Sequence, residues 1–378
     1  MTDGKSGRLV SLDVFRGYDM LFIMGLQVFV VSLCAACGWS DGWLARQFDH
    51  PAWLGLTLYD TIFPTFIFIA GVSFPYSSAK QLSAGRSRLQ VAGRVLKRAA
   101  VLFLLGMVYA RYFGGAPFRF GTVLGRIGIA WACGAWLYLF FGVKTRALIA
   151  VLLLAGYWAA NLLVPAPGHL PSEIWTPQGN IVAWFDWTYV SLFSRLSPGT
   201  AELPFDNQTC LSNVMATVTA MLGMFVGEFV RKTERTMSGD RRVAILLAAA
   251  AGLAGLGCVI AFGCGRFSFP FSKVLWSPSF TLAVGAYSVA LFAVFHWLID
   301  VKGWWRRTLF FRVIGVNAIT IYLAQPLFGL SACNRMLFGR LTGLLPEFWG
   351  AVALQALYAG LCWTFLYVLF RKNIFLKV

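Results

Sequence analysis

The chain has 378 residues, of which 58% are hydrophobic and 12% charged, with a mean hydropathy of +0.70. This composition belongs to a protein whose outer surface meets lipid, and it excludes an ordinary water-soluble enzyme. The net charge of +17 would suit nucleic acid, but the basic residues gather in short connections between apolar runs. There they set membrane topology, so no nucleic-acid partner is expected.

Apolar runs long enough to cross a bilayer are read at about 12–36, 55–76, 95–113, 122–141, 148–164, 210–230, 243–262, 278–299, 309–328 and 349–370. They predict an all-α, polytopic membrane bundle of about ten helices, a single domain over residues 1–378. Lys5, Arg8 and Arg16 lead directly into the first run with no small-residue cleavage site, so no cleavable signal peptide is expected. Basic residues concentrate at the N-terminus, in the connections around 77–98, 142–147, 231–242 and 300–308, and in the C-terminal tail. Both termini are therefore predicted to be cytoplasmic. The one long connection, about 165–209, is predicted on the opposite side. Its Trp175, Trp184 and Trp187 suit an interfacial segment, and such a loop is where a site for an external substrate would be built.

Polar residues inside the spans are costly in lipid and mark functional positions. In the first span Asp13, Arg16 and Asp19 stand at spacings that permit intrahelical pairing, and Gln27 lies deeper. The stretch FDHPAWLGLTLYDTIFPTFIFIAGVSFPY places His50 at a helix start, Asp60 within an apolar run and Pro64 where it interrupts the hydrogen-bond ladder. His50 is a candidate base or nucleophile. It can meet Asp60 only if residues 50–55 fold back, which Pro51 and Gly55 permit. Arg126 lies at a depth similar to Asp60, so the two could form a structural ion pair or part of a site. Arg312 and Asn317 occupy the span at 309–328, while His169 and His296 could each be incidental. The eight cysteines show no zinc-ligand pattern and no metal is expected. Cys37, Cys210, Cys264 and Cys333 fall near one membrane face, which would allow a disulfide, but unpaired small hydrophobes are favoured.

Six landmarks in order, RLVSLDVFRG, DHPAWLGLTLYDTIFPTFIFIAGVS, VLGRIGIAW, FDNQTCLSNVMATVTAMLGMFVG, KVLWSPSF and GVNAITIYL, cover nearly the whole chain. In these the chain resembles the heparan-alpha-glucosaminide N-acetyltransferase family. The resemblance implies a transmembrane enzyme that takes acetyl-CoA from the cytosol and acetylates a sugar amine across the membrane. It also implies that His50 is the base or acetylated nucleophile and Asp60 its acidic partner, and it picks out Arg126, Lys273 and Asn317. Acetyl-CoA is expected near Arg16, Gln27, Arg126, Arg312 and Asn317, and the acceptor near Trp53, Gln208 and Lys273. The chain departs from the family at Gln27, commonly Asn, and at Asp206 to Thr209, commonly DPEG. It also has Ala324 and Gln325 where some members have Gly-His. These departures bear on the acceptor, which is expected to be an amino sugar or a sugar hydroxyl. Membrane lipids are further partners, and a homodimer is compatible with the sequence. With no added N-terminal domain, a bacterial inner membrane is the expected location. The competing expectations are a transporter or flippase, and a scaffold that has lost activity.

Overall fold

The computed structural model describes residues 9–113, 121–194, 210–305 and 307–376. They form helices throughout, with a single isolated bridge between Pro165 and Asn180. The helices are α1 (Val10–Ala36), the short α2 (Trp43–Gln47), α3 (Leu58–Ser83), α4 (Arg88–Tyr112), α5 (Val123–Phe140), α6 (Val143–Leu163) and α7 (Ile181–Ser194). They continue with α8 (Asn213–Thr233), α9 (Gly239–Gly263), α10 (Pro278–Val301), α11 (Leu309–Val316), α12 (Ala318–Leu327), α13 (Leu330–Thr342) and α14 (Glu347–Arg371). Hydroxyl side chains start several of them. Ser87, Thr122, Ser238 and Ser277 accept backbone N–H groups of the first turns of α4, α5, α9 and α10, replacing partners that lipid cannot supply.

Eight of these helices are long and apolar enough to cross a bilayer, and α11 with α12, bent by 71° at Asn317, would make a ninth. The chain is an integral membrane protein. The expected span at 95–113 falls in α4, but Arg88, Arg94, Lys97, Arg98 and Arg111 make that helix too polar to be counted on composition. Helix α13 was not anticipated, because Asn334, Arg335 and Arg340 interrupt its apolar pattern. Pro64 and Pro75 both lie inside α3, which runs through them unbroken. In a packed bundle the neighbouring helices hold the backbone in place where a proline has removed a donor.

Helices α3 and α8 are central, with 61% and 72% of their apolar windows buried, against 17% for α14 at the periphery. Their seam relies on missing side chains. A Cβ on Gly71 would strike the Ala220 carbonyl oxygen, and one on Gly223 would strike that of Phe68. Small residues allow this backbone approach, which drives helix association where lipid removes the hydrophobic incentive. Large apolar side chains such as Leu104, Leu148, Leu152 and Phe262 cover the outside of the bundle.

The seam can be tested by substitution. Gly223→Leu is expected to destabilise the detergent-solubilised protein by about 1–3 kcal/mol, the usual cost of overpacking. Gly156→Leu, at a position with nothing within 4 Å of an added Cβ, should leave the unfolding temperature unchanged. Equal behaviour of the two variants in thermal unfolding would show that α3 and α8 do not pack in this way.

Candidate functional site

The site is built at the start of α3. Thr57 is the N-cap residue and Asp60 the third helical residue, forming a capping box in which the Thr57 backbone N–H donates to Asp60 Oδ2 at 3.1 Å. Asp60 therefore occupies the first helical turn rather than the interior of a span beginning at 55. Its Oδ1 lies 2.6 Å from His50 Nδ1 and 3.4 Å from Lys273 Nζ. Lys273 Nζ is in turn 3.2 Å from His50 Nε2. A buried carboxylate, 1% exposed, thus sits beneath an imidazole that is 46% exposed, with an ammonium beside both.

Continuous helix would hold His50 and Asp60 about 15 Å apart. They meet because residues 48–57 turn back on α3. Gly55 makes the turn at φ 138°, a region that suits glycine, and a Cβ there would also lie 2.9 Å from the Pro51 ring. The loop is clamped from three directions. The Gly55 N–H donates to the Phe271 carbonyl at 2.7 Å, the Ser272 hydroxyl to the Trp53 carbonyl at 2.8 Å, and the Trp53 indole to the Trp175 carbonyl at 2.7 Å. Gln27 Nε2 donates to the Phe48 carbonyl at 3.0 Å, and the His50 ring stacks on Tyr59 with centroids 4.9 Å apart. The segment 271–273 that holds the loop is also the one that delivers Lys273.

The pairing differs from the alternative weighed on depth alone. Asp60 is neutralised by Lys273 and His50, whereas the buried Arg126 donates to Ser212 Oγ at 2.8 Å and lies over the Trp276 ring, 4.7 Å from its centroid. Burial pushes the Lys273 ammonium below the usual lysine range and the nearby Arg126 adds to the fall, while the Asp60 carboxylate opposes it.

A cavity of about 260 Å³ opens beside the cluster, lined by His50, Tyr59, Lys273 and Tyr322 among apolar side chains. A second cavity, of about 340 Å³, adjoins it across Phe66, Ile127, Ala318 and Ile319, which line both, and carries Arg16, Ser73, Ser77 and Arg98. Helix α3 contributes Tyr59, Ile62, Phe63, Phe66, Ala70, Ser73, Phe74 and Ser77 to the two cavities, a stripe at spacings of three and four along one face. From Tyr59 to Ser77 this face rises about 27 Å, close to the hydrocarbon thickness of a bilayer.

Of the residues expected here, His50, Asp60 and Lys273 come together. Arg16 lines the second cavity, donating to Ser73 Oγ at 3.1 Å and pairing with Asp13 at 3.5 Å. Asn317 is buried at the break between α11 and α12, next to the cavity wall formed by Val316 and Ala318, and its Nδ2 has no partner among the described residues. Gln27 and Trp53 bond to the Phe48 and Trp175 carbonyls and line neither of these two cavities. Arg312 is exposed on α11 and faces neither cavity, and Gln208 lies outside the described residues. His169 pairs with Glu173 and His296 with Asp300. None of the eight cysteines forms a disulfide, Cys34 and Cys37, which stand at CxxC spacing at the end of α1, included. Among the described residues no group of three or more His, Cys, Asp or Glu could hold a metal ion. Arg98, Ser73 and Tyr322 were not anticipated; the three-and-four stripe along α3 was the signal that would have located Ser73.

No family model matches the chain. It is similar to the heparan-alpha-glucosaminide N-acetyltransferases of Mus musculus and Homo sapiens, each 25% identical over 99% and 98% of this chain. The chain spans 61% and 60% of the length of those two proteins.

The electrostatics of the cluster can be read from Lys273. Amine labelling followed by peptide mass analysis should give Lys273 a lower labelling midpoint on a pH axis than the exposed Lys97 and Lys144. Asp60 is the group that raises it, so Asp60→Asn should move the midpoint lower still. A midpoint that rises in the variant would contradict the contact.

Proposed function

We propose that the protein is a membrane acetyltransferase that uses acetyl-CoA to acetylate an amino sugar or sugar hydroxyl on the extracytoplasmic side. The observation that carries this reading is the pair of adjoining cavities along α3, with a His-Asp-Lys cluster at one end and two arginines at the other. The similarity to proteins named as acetyltransferases supports it.

Acetyl-CoA supplies the acetyl group as a thioester on a long arm that ends in a polyanionic nucleotide. Arg16 and Arg98 suit the phosphates, since guanidinium groups bind them by charge-assisted hydrogen bonds. Asn317, between Val316 and Ala318 of the cavity wall and with no partner for its Nδ2 among the described residues, is the nearest spare amide donor to such an arm. With this orientation, the basic connections and both termini face the cytosol and the His50 end faces outward.

At the reacting end Asp60 holds His50 through Nδ1, so that the Nδ1–H donates to the carboxylate and Nε2 is directed to reactants. His50 Nε2 then either accepts the proton of the attacking amine or hydroxyl, or attacks the thioester carbonyl itself and passes the acetyl group on. In both routes the acyl carbon forms its new bond as the bond to sulfur breaks; in direct transfer the proton taken by Nε2 passes to the departing thiolate, and in the route through acetyl-His50 the thiolate takes the Nδ1 proton, which the acceptor's proton replaces when the acceptor attacks the acetyl group. Lys273 places a positive charge where the carbonyl oxygen gains negative charge.

The test uses purified protein with acetyl-CoA alone and then with glucosamine, following CoA release and intact-protein mass. His50→Ala should lower acceptor-dependent CoA release roughly a hundred- to ten-thousandfold, as loss of a positioned base or nucleophile does. Arg98→Gln should instead weaken acetyl-CoA binding by about tenfold or more, the worth of one charge-assisted bond. A transporter is the second reading, favoured by the break in the span at Asn317 beside a path as long as the bilayer is thick. Absence of acetyl-CoA binding, with solute movement that survives His50→Ala, would decide for it.

A further inference from the structure

A third cavity, of about 260 Å³, shares no described lining residue with the other two. It lies where the end of α8, the start of α9 and the π-helical last turn of α10, Trp297–Val301, converge, and it is lined by Glu234, Arg242, His296 and Asp300 with a few apolar side chains. Arg242 is 6% exposed and His296 4%. Even so, Nε and Nη1 of Arg242 and Nε2 of His296 have no hydrogen-bond partner among the described residues. A buried guanidinium without an acceptor is costly, and folded proteins seldom leave one so.

The four polar groups are not equivalent. Asp300 is already engaged: it accepts from the Ser11 hydroxyl and from the His296 ring through Nδ1 at 2.9 Å. With Nδ1 donating, Nε2 of the neutral ring is an acceptor. Glu234, on the rim, is exposed and forms no ion pair among the described residues. The Tyr76 hydroxyl, also buried without a partner among the described residues, lies within the electrostatic reach of Arg242, Arg231, Glu234 and Asp300. The cavity therefore offers deep donors from Arg242 together with acceptors at His296 and Glu234. A bare dianion would meet the Glu234 carboxylate, and a bare cation would meet the Arg242 guanidinium. A molecule carrying both charges satisfies both.

We propose that this cavity binds a small phosphate-bearing zwitterion of the phosphoethanolamine type, with phosphate oxygens on Arg242 and the ammonium directed to Glu234 and His296 Nε2. The guanidinium fork suits phosphate oxygens, and the volume is at the small end for a ligand site, sized for a headgroup rather than a nucleotide. The meeting of three membrane helix ends also places the cavity at the depth of lipid headgroups. The same chemistry occurs in a soluble phosphoethanolamine and in the headgroup of phosphatidylethanolamine.

The test is calorimetric titration of delipidated, detergent-purified protein with phosphoethanolamine and with inorganic phosphate. Saturable binding that favours phosphoethanolamine is expected. Arg242→Gln should weaken it by about tenfold or more, and Glu234→Gln should abolish the preference over inorganic phosphate. Native mass spectra from nanodiscs then assign the source: retained phosphatidylethanolamine, with phosphatidylglycerol not retained, identifies the lipid, and retention of neither identifies the soluble form. No binding of either probe by folded protein, or binding unchanged in both variants, would overturn the proposal and leave a cavity that holds water only. Should Arg242→Gln fail to fold, Glu234→Gln at the exposed rim still decides, because an unchanged preference there contradicts the predicted ammonium contact.

Discussion

The structure around the candidate site depends on one requirement: the carboxylate of Asp60 is buried at the start of a membrane helix and has to be neutralised there. An unpaired charge in that position would be strongly destabilising. The chain meets the requirement with two separate devices. Oδ2 is used by the helix itself, in the capping box with Thr57, and Oδ1 by the partners that come from elsewhere, His50 and Lys273. Dividing the carboxylate in this way fixes its orientation, since rotating it to improve one contact would break the other. The imidazole inherits that orientation, and the half-exposed face of His50 is thereby aimed into the cavity.

A second constraint follows from where these partners originate. Neither His50 nor Lys273 lies on a spanning helix; both lie on loops, and a loop near lipid must satisfy its own backbone groups. Cross-linking the two loops does this. Gly55 bonds to Phe271, Ser272 to Trp53, and Trp53 to Trp175, so that the loop carrying the histidine and the loop carrying the lysine serve as each other's hydrogen-bond partners. The contacts that make the loops tolerable are the same ones that set the distance between imidazole and ammonium. The geometry of the cluster and the stability of the loops are thus coupled, and Gln27 and Trp53 belong to the same framework through their bonds to the Phe48 and Trp175 carbonyls.

Much of the architecture was legible in the sequence, and the limits are physical. Apolar length locates a helix in lipid, because backbone groups leave no other option; nine of the ten expected spans each fall on one observed helix, and 309–328 is divided between α11 and α12. Counting was harder, since α4 carries several arginines and lysines that composition treats as incompatible with a span. The approach of His50 to Asp60 could be framed as a condition on residues 50–55 but not resolved, because the turn depends on contacts to residues 175 and 271 that are remote in sequence. Pairing Asp60 with Arg126 on depth alone ignored direction. Trp276 and Ser212 draw the guanidinium away, and Lys273 takes its place from a connection that sequence spacing cannot position.

The two cavities along α3 suggest why Asn317 stands where a spanning segment breaks. An uninterrupted helix at 309–328 would satisfy its own backbone and present a closed apolar wall to α3. The 71° bend instead directs α11 and α12 apart and leaves Ala318 and Ile319 as the shared wall between the cavities. A break in a membrane helix is tolerated only where protein or a polar cavity receives the freed groups. The Nδ2 of Asn317, which has no partner among the described residues, lies at this break. Under the proposed function, an acyl-donor arm laid along the two cavities would pass this break, between the arginines that suit its charged end and the histidine that suits its reactive end.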